Sequence, residues 1–302
     1  MSVSTSVHHS RAATWTGAMA IVIWGASVGM MRSISESLGP VAAGAAVFTL
    51  SGLLAWRVVG VPSLRSLHPA YLWLAGAVFV VYEICFALSL GLAHDRAQAL
   101  ELGMLNYLWP SLTIVLAVLC RLQRGSPLLM PGVALSLFGA VLVMSNGHWS
   151  PTLLLHNVLA NPLAYGMAAA AALLWACYSV LTRRYGNGKS AVPLFLLLAG
   201  LVLWMRYATS VQPPMTLSLS SMTQVLVQGC FSAASFSCWN FGIQRGNMTL
   251  LAAASYLTPV LSVLLGSIWL GVVPSAAFWQ GVLLVCAGSL LCWWATRCVS
   301  RH

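Results

Sequence analysis

Apolar residues recur along this chain in stretches of about 20, the length that carries an α-helix across roughly 30 Å of hydrocarbon. Ten such stretches can be cut at polar loops: 12–31, 40–59, 70–92, 97–118, 128–146, 163–182, 190–208, 222–243, 249–271 and 275–296. They predict an all-α integral membrane protein of ten transmembrane helices. Only 6% of the 302 residues are charged, against about 25% in a soluble domain, which excludes a water-soluble globule. The loops are too short to hide a separate domain, so any activity is housed among the helices. The run from Arg11 to Met31 lacks a small-residue cleavage site and is expected to stay as the first span.

The formal charge of +10 would point to nucleic acid in a soluble protein. Here the basic residues sit at span ends, and no nucleic-acid partner is expected. Eleven of the 14 Lys and Arg fall on the N-terminal side of the membrane; only Arg32, Arg96 and Arg206 fall on the other. The positive-inside rule therefore expects both termini in the cytoplasm. The eight cysteines form no CxxC pair and read as small packing residues. No HExxH or GxSxG motif occurs, and Gly188-Lys189-Ser190 has Arg183 where a phosphate loop needs its leading glycine. No enzyme, cofactor or metal is expected.

The two halves resemble each other. A shift of 149 aligns Asn106-Tyr107-Leu108-Trp109-Pro110 with Ser255-Tyr256-Leu257-Thr258-Pro259, and also pairs Gly132 with Gly281 and Gly139 with Gly288. A shift of 151 pairs Trp24 with Trp175 and Arg32 with Arg183. The expected units are therefore 12–146 and 163–296, each of five spans. An odd number of spans makes the second copy enter the membrane from the opposite side, the inverted-repeat plan of many secondary transporters.

Few residues in the spans carry chemistry. Pro110 and Pro259 each remove a backbone donor in mid-span and free the carbonyl four residues back, on Asn106 and Ser255; they are candidate hinges. Glu83 and Glu101 are the acids expected within the membrane, where a charge is costly unless it pairs or faces a cavity, and Glu83 is the better site candidate. Asp95 and Arg96 are placed to pair with each other. Tyr82, Tyr107, Trp175, Tyr178, Trp239 and Tyr256 are mid-span rings, away from the interfacial belts that hold most Trp and Tyr. Gln228, Ser232, Ser235 and Trp239 form a polar stripe on one helix face. Together they suggest a cavity lined by rings and small polar groups.

Ten spans in two five-span halves resemble the drug/metabolite transporter superfamily, in the branch with two EamA-type repeats. More narrowly, three segments are similar to the YddG-like aromatic amino acid exporters of bacterial inner membranes. They are Tyr82-Glu83, the run from Gln98 to Pro110 containing Glu101-Leu102-Gly103-Met104-Leu105-Asn106-Tyr107-Leu108-Trp109, and Asn161-Pro162-Leu163-Ala164-Tyr165-Gly166. The acid often found after spans 4 and 9 in the superfamily is replaced by Arg121-Leu122-Gln123-Arg124 and Gly271-Val272-Val273, so its role is not carried over.

The resemblance implies outward transport of Phe, Tyr, Trp and related amphipathic metabolites through a central cavity by alternating access. Tyr82, Trp175, Tyr178 and Trp239 would wall the ring; Glu83, Asn106 and Asn240 would meet the amino and carboxylate groups; Tyr107 and Tyr256 complete the expected site. A second reading is an exporter of cationic drugs or metabolites on the same fold, and a third is a membrane scaffold that transports nothing.

Overall fold

The structure is a computed structural model and describes residues 3–60, 63–122, 126–145, 151–187, 189–245, 251 and 254–297. The described residues form helices joined by loops and contain no strand. In chain order the helices are α1 (Val3–Leu38), α2 (Pro40–Val59), α3 (Gly76–Gly91), α4 (Arg96–Asn106), α5 (Trp109–Leu119) and α6 (Leu129–Met144). There follow α7 (Pro151–Ala160), α8 (Pro162–Tyr185), α9 (Val192–Thr209), α10 (Leu219–Arg245), α11 (Thr258–Leu270) and α12 (Ala276–Arg297). A single π-helical turn, Tyr71–Ala75, leads into α3.

Among the described residues seven stretches are long and apolar enough to cross a membrane, with α4 and α5 together making one of them, and α6 and α11 are shorter apolar helices. The chain is a multi-pass membrane protein. Helix α10 is long but carries Gln228, Ser232 and Ser235 of the polar stripe seen in the sequence, together with Ser220 and Gln224, and is not among the seven. Two features depart from the expected spans. The fourth span is two helices, because the chain turns at Tyr107-Leu108, and a short helix, α7, occupies the connection before α8.

Hydrogen bonds between loops and termini define two ends of the bundle. At the near end, where α1 starts, Lys189 donates to the Ser66 carbonyl at 2.8 Å, His68 stacks on Tyr185 at 4.9 Å, and the Ala191 amide donates to the Tyr71 hydroxyl at 3.2 Å. At the far end, where α1 finishes, the Thr216 amide donates to the Ser37 carbonyl at 2.8 Å and Asn161 donates to the Leu92 carbonyl at 2.9 Å.

Inside hydrocarbon, helices gain little from burying apolar surface against one another, and close approach at small residues replaces that drive. The pair α6 and α12 shows it. A methyl group on Gly139 would sit 2.6 Å from the Gly281 carbonyl oxygen, and one on Gly288 would sit 2.6 Å from that of Gly132. Ser111 of α5 shares hydrogen bonds with Ser136 of α6 at 2.8 Å and Ser289 of α12 at 3.0 Å, so three helices are joined by hydroxyls with no polar atom left to lipid. Helix α1 packs against both α10 and α11, with Gly29 against Gly266, which draws helices from the two halves around one interior space.

Candidate functional site

That space is a cavity of about 820 Å³, part of it open to solvent. Its walls come from α1 (Trp24, Ser27, Val28, Met31), α2 (Val47, Phe48) and α3 (Tyr82, Glu83, Phe86, Ala87, Leu90). The remaining walls are the α4–α5 junction (Asn106, Tyr107, Trp109), α8 (Trp175), α10 (Gln228, Ser232, Phe236) and Thr258 of α11.

The α4–α5 junction exists because of Pro110. Having no N–H and a ring that clashes with the preceding turn, proline cannot continue α4. The last turn of α4 instead tightens: the Tyr107 amide bonds the Met104 carbonyl at 3.1 Å and the Leu108 amide bonds that of Leu105 at 3.2 Å, each spanning three residues. Helix α5 then starts afresh at Trp109, with Pro110 in its first turn, where a missing donor costs nothing. Pro259 repeats this arrangement. The chain turns at Tyr256-Leu257, the Leu257 amide bonds the Ala254 carbonyl at 2.9 Å, and α11 begins at Thr258. What the sequence presented as two kinks are two complete helix breaks, and each delivers polar residues, Asn106 and Thr258, to the cavity wall.

Aromatic rings form the near-end floor. Tyr82 and Trp175 lie 4.7 Å apart, Trp24 and Phe236 6.0 Å, and Tyr82 stacks on Phe86 at 6.1 Å with 13° between planes. Beneath them the fully buried Phe79 contacts Tyr82, Trp175, Tyr178, Phe195 and Phe236 at 5.0–6.4 Å. Such offset and edge-on contacts are favourable beyond the area they bury.

The polar groups are few and dry. Glu83 is 8% exposed, Asn106 3% and Gln228 4%, and the side-chain oxygens of Asn106 and Gln228 accept no hydrogen bond within the protein. The Tyr82 hydroxyl lies beside the Asn106 amide. Native proteins satisfy nearly all buried polar atoms, and these two acceptors, on different helices of the cavity lining, lack a partner within the protein.

Of the residues expected from sequence, Tyr82, Glu83, Asn106, Tyr107 and Trp175 line the cavity. Tyr178 does not; it is buried against Phe79 at 5.0 Å, one ring further toward the near end. Trp239 packs 5.2 Å from Trp24 and stands behind the wall rather than in it. Tyr256 is buried outside the cavity lining, and the Asn240 side chain lies outside the described residues. Asp95 and Arg96 do not pair. Asp95 caps α4 by accepting from the Gln98 amide at 2.7 Å, while Arg96 donates to Glu36 at 2.8 and 3.0 Å. Glu101 accepts from the Tyr165 hydroxyl at 2.7 Å, away from the cavity. Trp24, Phe86, Trp109, Phe236 and Thr258 were not singled out as site residues. The sequence signals that point to some of them are the repeat, which pairs Trp24 with Trp175 and Trp109 with Thr258, and a shared helix face, as Phe236 shares with Ser232.

At the far end, Arg32 and Glu36, one turn apart on α1, close the space above Met31 and Leu90. Arg32 donates to the carbonyls of Leu90 (3.3 Å), Gly91 (3.1 Å) and Ala93 (2.7 Å) and to Glu36 (3.2 Å). Arg96 reaches from Glu36 to the Leu270 carbonyl of α11 at 2.9 Å.

Residues 162–294 match the model of the EamA-like transporter family. Over 288 residues the chain is 44% identical to the aromatic amino acid exporter YddG of Escherichia coli (strain K12), spanning 94% of this chain and 98% of that one. The chain belongs to the EamA-like transporter family. Its likeness to the YddG exporter of Salmonella typhimurium is 42% over 289 residues, covering 95% of this chain and 99% of that one. A more distant YddG exporter, from Ancylobacter novellus, is 27% identical over 92% of this chain and 95% of its own. A solved crystal structure at 26% identity superimposes with a TM-score of 0.68 over 96% of this chain and 99% of the other. As a member of the EamA-like family the protein is a transporter and not an enzyme.

Proposed function

We propose that this protein exports aromatic amino acids across a bacterial inner membrane by alternating access through the described cavity. The observation that carries the reading is the pairing of an aromatic floor, built from Tyr82, Trp175, Phe236 and Trp24, with buried polar groups of which two acceptors are unpartnered. A flat ring stacks on the first and a polar amino acid head meets the second. The names of the relatives support the same cargo.

The proposal includes an inverted repeat of 12–146 and 163–296. The contacts between α6 and α12 support it: at a shift of 149 Gly132 corresponds to Gly281 and Gly139 to Gly288, and the close approaches are Gly132 to Gly288 and Gly139 to Gly281. Exchanging the two copies turns one contact into the other, as a pseudo-two-fold axis requires. The matching breaks before Pro110 and Pro259 support it further, and give each half a hinge at the same depth. The excess of basic residues at the near end supports cytoplasmic termini, which makes the near end cytoplasmic and the far end periplasmic.

The test is the flux of labelled tryptophan in proteoliposomes. Trp175→Ala together with Glu83→Gln should reduce it about tenfold or more while the protein still elutes as a folded species, since a stacked ring and a charge-assisted hydrogen bond are each worth about 1–3 kcal/mol. Unchanged flux removes the cavity from the transport path.

A further inference from the structure

The cavity lining carries an acidic side chain and no basic one. Among the described residues that line it Glu83 is the one ionisable acid, and none is Lys, Arg or His. Two residues of the same lining, Asn106 and Gln228, hold side-chain oxygens that accept no hydrogen bond within the protein. An acid and two unpartnered acceptors on one lining suit a donor-rich guest, and a primary ammonium supplies three N–H groups.

An amino acid also brings a carboxylate, which needs its own partner. The cation placed for that role by sequence is Arg32, one residue beyond Met31 of the lining. Its guanidinium is already committed, with Nη1 on three carbonyls at the end of α3 at 2.7–3.3 Å and Nε on Glu36. Arg96 lies farther out, held by Glu36 and the Leu270 carbonyl. The cavity therefore offers an acidic match for the amino end of the amino acid head and no basic group for the other end, and the Ser27 and Thr258 hydroxyls already donate to the Ile23 and Ser255 carbonyls at 3.0 and 2.7 Å.

We propose that the recognition element is ring plus ammonium, and that the transporter also moves primary arylalkylamines, compounds that keep the aromatic ring and the amino group and lack the carboxylate. This rests on the cavity being the cargo site, as argued under Proposed function. Arylalkylamines are the products of amino acid decarboxylation, so a decarboxylase reaction is the class that would supply them.

The test uses the full-length protein in liposomes and three competitors of labelled tryptophan uptake. Tryptamine keeps ring and ammonium, indole-3-propionate keeps ring and carboxylate, and unlabelled tryptophan keeps all three. Tryptamine should inhibit within about threefold of tryptophan, and indole-3-propionate should be weaker by about tenfold or more, the loss expected when an ammonium–carboxylate hydrogen bond is forfeited. At pH 6, where almost all of the amine is protonated, labelled tryptamine should leave protein-containing liposomes severalfold faster than protein-free ones. Glu83→Gln should weaken tryptamine inhibition more than inhibition by indole-3-propionate, and Asn106→Leu should do the same if the glutamine variant does not fold.

Tryptophan uptake that is blocked by indole-3-propionate and untouched by tryptamine overturns the inference. So does inhibition by tryptamine without faster tryptamine exit. Absence of tryptophan uptake in the unmodified protein overturns the proposed function instead, so the two failures are distinguishable.

Discussion

The two ends of the cavity are bordered by opposite chemistry. Toward the near end lies a dry stack in which Phe79 of α3 meets rings from α8, α9 and α10. Toward the far end lies a set of charges, Arg32, Glu36 and Arg96, that joins α1 to the ends of α3, α4 and α11. Both closures join helices among α1–α6 to helices among α8–α12, so either must part if these two sets move apart. They differ in how water treats them. The Arg96 and Glu36 side chains are 49% and 28% exposed, so water can replace their partners at little cost, whereas parting the rings would expose apolar surface. The far closure is the weaker one, and of the two sides the periplasmic side in the proposed orientation is the readier to open.

The largest test of that contrast is Phe79→Ala. It empties the centre of the near closure, and large-to-small changes of a buried phenylalanine cost about 3–5 kcal/mol. Denaturant unfolding in detergent should show a loss of this size, with Phe79→Leu recovering more than half of it. A loss below about 1 kcal/mol would mean that the near end is loosely packed, and the contrast between the ends would collapse.

Arg32→Gln comes next. Three backbone carbonyls at the end of α3 lose their shared donor, in a place where Arg32 is only 9% exposed. The expected cost is about 2 kcal/mol in the same unfolding measurement, because each buried acceptor left unsatisfied is penalised. The same change should raise the alkylation rate of a cysteine introduced as Ser27→Cys by a reagent confined to the far side. If the rate does not rise, Arg32 is a helix-end fastener and not part of a closure.

The ring-and-polar character of the cavity was legible because a polar residue inside an apolar run is rare and has few physical excuses. Glu83, Asn106 and Tyr82 stood out for that reason, and all three line the space. The matching positions of Pro110 and Pro259 were legible for the same kind of reason, since proline acts on the backbone locally whatever surrounds it. Tyr178 and Trp239 were drawn into the expected site because helical periodicity says which side faces away from lipid and cannot say whether that side meets a cavity or another ring. The far closure was the least legible. Glu36 and Arg96 are separated by 60 positions and meet only through the fold; sequence proximity suggested Asp95 as the partner, but that carboxylate is used by the α4 amides. The local hint was the four-residue spacing of Arg32 and Glu36 on α1, a spacing common on exposed helices and therefore weak.

The smallest expected effect is also the most specific to the far closure. Glu36→Gln keeps the size of the side chain and can still accept from an arginine, so its loss is confined to charge. For a pair as exposed as Glu36 and Arg96 that is about 0.5 kcal/mol, or roughly a twofold change in the balance between closed and open far ends. Such a change is within reach of transport assays if salt is used as the second variable. Screening weakens exposed ion pairs and leaves dry ring contacts alone, so tryptophan flux through the unmodified protein should depend on ionic strength, and flux through Glu36→Gln should depend on it less. Phe79→Leu should keep the full salt dependence, because the near closure contains no charge to screen. Equal salt dependence in the unmodified protein and in Glu36→Gln would place the salt-sensitive step elsewhere and would leave the two closures energetically alike.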